Sequence, residues 1–306
     1  MLNTKLIVAC IVWAITIQSA GASNDRSLLL PPEPLPAPFA ELLQEAGTGE
    51  ESKSLLDTEP AASQKSNSDL AAKAQNPIAD LISLPFQNNT NFNVGPSDGT
   101  VNVLNIQPVI PFSFEKFTLI TRTIVPVIYK EELFPGDSSE FGLGDVQFTA
   151  FFSPNDTKTI TWGIGPVFRF PTATDSSLGA DKWSAGISGV VLVTPKPWVI
   201  GAIVQNVWSY AGDSSAPDVN EFLLQPFINY NFSDGWYATT APIITADWNA
   251  DSGDRWLVPL GGGAGRVFRI GAQPVNISTQ LYYNVVTPDF GPDWQLRIQV
   301  QFLFPK

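Results

Sequence analysis

The residues of this chain that could do chemistry are few. The sequence contains no histidine, its one methionine is the initiator, and its one cysteine, Cys10, lies in the first apolar stretch. Imidazole acid–base chemistry, thiolate nucleophiles and disulfides are therefore closed to the processed chain. Carboxylates, guanidiniums and hydroxyls remain. Glu131-Glu132 is an adjacent carboxylate pair in a polar connection, where simple solvation explains it as well as acid–base work does. The run "DWNADSGDRWLV" imitates a calcium loop through Asp247, Asn249 and Asp251, but Gly253 falls one place late and Val258 stands where the bidentate Glu belongs. A Ser or Thr nucleophile would need another base such as Lys beside it, and no motif supplies one. No catalytic residue, metal site or cofactor is expected, and the chain does not read as an enzyme.

The remaining polar groups of interest sit in a different setting, on alternating strands. In "DWQLRIQVQFLFPK", Trp294, Leu296, Ile298, Val300, Phe302 and Phe304 share one face, and Gln295, Arg297, Gln299 and Gln301 the other. That period of two is a strand with an apolar and a polar side. Twelve such segments follow one another from Leu84, near 84–94, 101–112, 117–129, 144–152, 159–170, 183–194, 198–210, 221–232, 236–248, 255–268, 275–286 and 294–304. Most have the length of a tilted membrane-crossing strand, about 9 to 11 residues, rather than the ~5 to 6 of soluble strands. Their polar faces carry Gln, Asn, Ser, Thr and Gly with a few Arg, where a soluble sandwich would show Lys and Glu. The expected fold is all-β: a closed antiparallel transmembrane barrel of about twelve strands. Arg122, Asp145, Gln147, Arg169, Gln225, Gln280, Arg297 and Gln299 are its candidate lumen-lining residues.

Three further patterns agree. Trp183, Trp198, Trp208, Tyr210, Trp236, Trp248, Trp256 and Trp294 fall at or near segment ends, where a membrane barrel carries its interfacial aromatic girdles. Short connections alternate with longer ones, which places both termini on the periplasmic side. The longer connections hold acids, among them Glu131, Glu132, Asp175, Asp213, Asp218 and Asp254. These are solvated loop charges or a rim that attracts cations. Against the barrel stand Pro108, Pro126, Pro166, Pro226, Pro242 and Pro259, each inside an expected strand where it deletes a ladder donor. The recurring "QPVI", "VPVI", "GPVF", "QPFI" and "APII" suggest one repeated device, bulges that re-aim a strand.

The N-terminus gives the compartment. Lys5, an apolar run from Leu6 to Ile17 and the small residues Ala20-Gly21-Ala22 form a signal peptide over 1–22. Residues 23–75, rich in Pro, Glu, Ser and Ala, suit a flexible periplasmic segment with short helices at Pro38 to Ala46 and Asp69 to Ile82. Residues 76–306 are the barrel. A plug role for Ala72 to Ile82 ranks below an ordinary lead-in to the first strand. The formal charge of −12 argues against a nucleic-acid partner. The expected partners are outer-membrane lipid, the outer-membrane assembly machinery and a small-molecule solute.

The stretches "NPIADLISLPFQNNTNFNVGPSDGTVNVLNIQPVIPFSF", "EFGLGDVQFTAFFSP", "WGIGPVFRFPTATD" and "LGADKWSAG", with the closing "FLFPK", resemble a family of bacterial outer-membrane β-barrels over residues 76–306. Its members are usually labelled transporters, sometimes under the name neuromedin U, and it is similar to the barrels associated with meta-pathway phenol degradation. The resemblance implies an outer-membrane location in a Gram-negative cell and a transport role, and it carries no catalytic residues. A passive channel or facilitator for small solutes comes first, a structural or adhesion barrel second, and a lipid-active enzyme third. A channel predicts room between polar side chains; a structural barrel predicts a filled interior.

Overall fold

A computed structural model describes residues 61–157 and 159–305. The expected signal peptide and residues 23–60 lie outside the described residues. The strands are β1 (Ile82–Val94), β2 (Gly99–Ile106), β3 (Val109–Ser113), β4 (Phe117–Lys130), β5 (Glu140–Leu143), β6 (Val146–Pro154), β7 (Ile160–Phe170), β8 (Lys182–Val193), β9 (Trp198–Gly212), β10 (Asn220–Asn231), β11 (Trp236–Thr240), β12 (Ile244–Asp247), β13 (Trp256–Ile270), β14 (Gln273–Val286) and β15 (Trp294–Phe304). Each pairs antiparallel with its neighbours. β1 meets β15 in unbroken register from Ile82↔Phe304 to Phe92↔Trp294, so the sheet closes on itself. The fifteen strands make twelve staves, because β2/β3, β5/β6 and β11/β12 are each one stave split in two. All twelve expected segments are present.

Alternation sorts the faces. On β14, Asn276, Ser278, Gln280, Tyr282 and Asn284 are buried inside, while Ile277, Leu281 and Tyr283 are exposed outside. On β15, Arg297, Gln301 and Leu303 are buried and Trp294 and Ile298 exposed. Large apolar side chains left facing outward all around a closed sheet are what a lipid-embedded wall requires, since closure already pairs the backbone.

The prolines take a different form from the expected bulges. Of the six, only Pro259 sits at a register shift, opposite β14. Pro108 and Pro242 lie in the breaks that split β2/β3 and β11/β12. Pro126 stands opposite the β5/β6 break, between the rungs Val127↔Leu143 and Ile124↔Gln147. Pro226 stands opposite the β11/β12 break, between Ile228↔Thr240 and Leu224↔Ile244. Pro166 faces a gap in the β6–β7 ladder between Thr149↔Val167 and Phe152↔Ile164. A residue without an N–H is tolerated where its neighbour offers no acceptor in register.

Inside the barrel mouth that holds Ile82 and Phe304 lies helix α1 (Ala61–Ala74). Residues 61–74 fall in the stretch whose composition suits a flexible segment, yet Leu70 and Ala71 are buried with Leu81, Tyr237, Val267 and Leu303. In the turn that follows, Ile78 joins a second cluster with Ile120, Phe151, Val190, Leu192, Val199, Ile203 and Phe227. Gln75 and Asn231 exchange amide bonds, Gln75 Nε2 to Asn231 Oδ1 at 2.9 Å and Asn231 Nδ2 to Gln75 Oε1 at 3.1 Å. Lys196 Nζ donates to Asp69 Oδ1 at 2.8 Å. The segment thus plugs this end instead of merely leading into β1. It also accounts for a departure from the expected polar interior: the inward residues of the Ile78 cluster are apolar because they pack against the plug.

The face assignment carries a direct expectation. Ile298→Arg, on the outer face near the middle of β15, destabilises the folded barrel in bilayers by about 2 to 4 kcal/mol, whereas a charge placed on the inner face by Gln299→Glu costs much less. Denaturant titration of both variants in lipid vesicles reads the difference; equal tolerance at the two positions would reject the faces.

Candidate functional site

The inner face is where polar chemistry converges. Below the plug lies a cavity of about 170 Å³ whose lining includes Arg122, Gln225, Gln280, Arg297 and Gln299, five of the eight residues expected in the lumen. Its roof includes Lys73, Gln75, Asn76 and Leu81, from α1 and the turn after it. Among the described residues, no carboxylate lines it.

Arg297 is held by three neutral acceptors: Nε donates to Asn89 Oδ1 at 2.9 Å, Nη1 to Ala241 O at 2.8 Å and Nη2 to Gln295 Oε1 at 3.0 Å. Its guanidinium lies over the Tyr282 ring, 5.0 Å from the centroid. Tyr282 Oη accepts from Ala241 N at 2.9 Å and donates to Gln280 Oε1. Ala241 belongs to the β11/β12 break, so both its backbone groups, freed from the ladder, find partners on inward side chains. Arg122 Nη2 donates to Gln107 Oε1 at 2.6 Å, beside the β2/β3 break. Tyr237 reaches across β13 to donate to Asn276 Oδ1 at 2.7 Å. The ring passes over Gly265, where a Cβ would come within 2.4 Å of it.

The other three expected lumen residues lie apart from this cavity. Asp145, in the β5/β6 break, accepts from Ala173 N at 3.2 Å and Ala180 N at 2.8 Å, tying the 171–181 connection to the wall. Gln147 Oε1 accepts from Gln205 Nε2 at 3.3 Å. Arg169 pairs with Glu221 at 2.7 Å, so this arginine does have a carboxylate partner.

Of the aromatic residues expected in girdles, Trp198 and Trp236 begin strands at the plugged end. Trp183, Trp208, Tyr210, Trp248, Trp256 and Trp294 stand toward the far end, and every one except the half-buried Trp256 is exposed. Several stack in pairs, such as Trp248 with Trp256 and Tyr283 with Trp294. The far-end acids brace the loops, some within their own turn and some across to a neighbouring segment. Glu131 accepts from Thr100 N, Glu132 from Gly136 N and Asp254 from Asp289 N, each at 2.8 Å. Backbone donation from Ser177 and Ser215 holds the Asp175 and Asp213 carboxyls below their ordinary range, and the Lys182 ammonium does the same for Asp218. Asp247 of the calcium-like run caps its own turn, accepting from Asn249 N at 2.9 Å.

Sequence reasoning passed over Asn89, Gln107, Tyr237 and Tyr282. Parity was the available signal: Tyr282 lies between Gln280 and Asn284 on the polar face.

No family model matches the chain, and no curated protein matches it in sequence. Among solved structures, an outer membrane channel from Pseudomonas putida F1 superposes with a TM-score of 0.57 at 15% identity, covering 81% of this chain and all of the channel's, 100%. CdiB from Acinetobacter baumannii aligns more loosely, with a TM-score of 0.34 at 10% identity over 73% of this chain and 60% of its own. The first likeness places the fold among twelve-stave barrels; it concerns fold alone.

The Tyr282 bonds can be tested. Tyr282→Phe leaves Ala241 N–H without its acceptor and costs about 1 to 3 kcal/mol, the usual penalty for an orphaned buried donor. Tyr283→Phe, on the outer face, changes stability little, and unfolding of the two variants in vesicles compares them directly.

Proposed function

We propose that the protein is a passive channel or facilitator for small solutes in the outer membrane, with both ends of the barrel chain in the periplasm. The observation that carries this reading is the hydrogen-bonding cavity inside the barrel, lined from β1, β3, β4, β9, β10, β11, β14 and β15. Its neutral amides and cations can exchange bonds with a passing solute, and its volume far exceeds the roughly 10–15 Å³ that one water needs. The printed description of the Pseudomonas putida neighbour as an outer membrane channel supports it. Kinship with the transporters labelled neuromedin U and with the meta-pathway barrels belongs to the same reading, as do outer-membrane lipid and the assembly machinery as partners. The chain acts without catalysis and without a cofactor.

A structural or adhesion barrel is the second reading, and α1 favours it, because a plugged mouth is what a filled interior looks like. The two part over what happens when the plug is unseated. Leu70→Asp with Ala71→Asp places charge in the cluster formed with Tyr237, Val267 and Leu303, and releases α1 from it. For a channel, arabinose flux into proteoliposomes rises well above that of the parent while the barrel stays folded. A folded parent and a folded double variant that both exclude arabinose would sink passive transport and move the structural barrel ahead.

A further inference from the structure

We infer that the cavity under α1 is a binding site for a small monocarboxylate with a compact apolar body. The inference rests on the channel reading for its biological sense, but not for its physics. Arg122, Arg297 and Lys73 line one cavity, and among the described residues no Asp or Glu does. Cations withdrawn from bulk water ordinarily lie beside a carboxylate, as Arg169 does beside Glu221. Here the acceptors are an amide oxygen for Arg122, and two amide oxygens and a carbonyl for Arg297. Neutral acceptors satisfy hydrogen-bond geometry without cancelling charge. An anion arriving in the cavity supplies the missing counter-charge.

The donors are unequally committed. Arg297 spends three N–H groups holding the β11/β12 break and the β1–β15 seam, which makes it chiefly a source of positive potential. Arg122 makes one hydrogen bond among the described residues, to Gln107, out of the five donors a guanidinium carries. Its fork is therefore the part free to meet a planar two-oxygen group. Lys73, exposed on the last turn of α1, brings a third cation from the roof.

The rest of the lining defines the body of the ligand. Val109, Ile203 and Phe227 also line this space and belong to one apolar cluster, so part of its wall is apolar. An inorganic anion leaves that part wet, whereas a short hydrocarbon attached to the carboxylate covers it. The neutral amides of Gln225 and Gln299 tolerate either.

Butyrate and its uncharged isostere butyramide are suitable probes, titrated against the full protein in detergent micelles by calorimetry. Butyrate binds the parent at least about tenfold tighter than butyramide, because a charge-assisted pair to arginine is worth that much. Arg122→Gln weakens butyrate binding about tenfold and leaves butyramide unchanged, while Arg122→Lys, which keeps the charge and loses the fork, weakens it only about threefold. Lys73→Gln, on the exposed flank of α1, reduces butyrate affinity without touching the barrel wall and serves where the Arg122 variants fail to fold. Equal affinity for butyrate and butyramide, or chloride displacing butyrate at equal concentration, overturns the inference. Arabinose flux in the same preparation reads the channel separately. Charge-selective binding with no sugar flux under either plug state leaves the site standing and removes the channel; sugar flux with no preference for butyrate does the reverse.

Discussion

Every backbone N–H and C=O in a lipid-embedded wall must find its partner inside the protein, because the surrounding hydrocarbon offers none. A closed ladder meets that demand for free only where it is regular, and this one is broken in three staves. The breaks hold because other groups step in. At Ala241 the amide goes to Tyr282 and the carbonyl to Arg297. At Gly144 the amide goes to Pro126 O and the carbonyl accepts from Thr172 Oγ1. At the third break, Gln107 N donates to Pro85 O and Thr123 N to Pro108 O. Several of the polar side chains that line the inside are thus there first as partners for the backbone, and only then as a surface a solute could meet.

That double duty explains the charge of the interior. A guanidinium is the one side chain that can bridge Asn89, Ala241 and Gln295 at once, since it projects five donors from one plane. Placing it there for geometry brings a full positive charge that none of those partners offsets. Higher in the barrel the same residue type is neutralised by Glu221. The far-end loops are acidic and the cavity beneath α1 is cationic, so the two regions carry fields of opposite sign.

Much of the architecture was legible in the sequence. Period-two alternation gave all twelve staves, and the chemistry of their polar faces assigned inside from outside. What escaped was whatever breaks the period. Proline in a strand announces a lost donor but not whether the neighbour bulges or parts, and that choice depends on acceptors supplied from sequence-distant strands. Tyr282 was passed over because an aromatic ring fits a lipid face and a hydrogen-bonded interior equally well, and only its parity told. Helix α1 was hidden for a related reason. "AASQKSNSDLAAKA" has no strong apolar stripe, and the surface that buries it and the turn after it is made by Val267 and Leu303 on one side and Leu192, Ile203 and Phe227 on the other, apolar residues at inward positions. Read as a set, those exceptions were the imprint of something seated inside.

The position of α1 also limits the routes by which the barrel can close. The helix precedes β1 by only a short turn, and β1 forms the final seam with β15 from Ile82 to Phe92. With its side chains a helix is about 10–12 Å across, too wide to slip between paired strands once a seam has zipped. The ring must therefore close around a segment already inside it, or admit that segment through the open mouth afterwards. In the first route, zipping of the first strand against the last becomes a moment of enclosure, in which the barrel wraps the segment ahead of β1 as it seals.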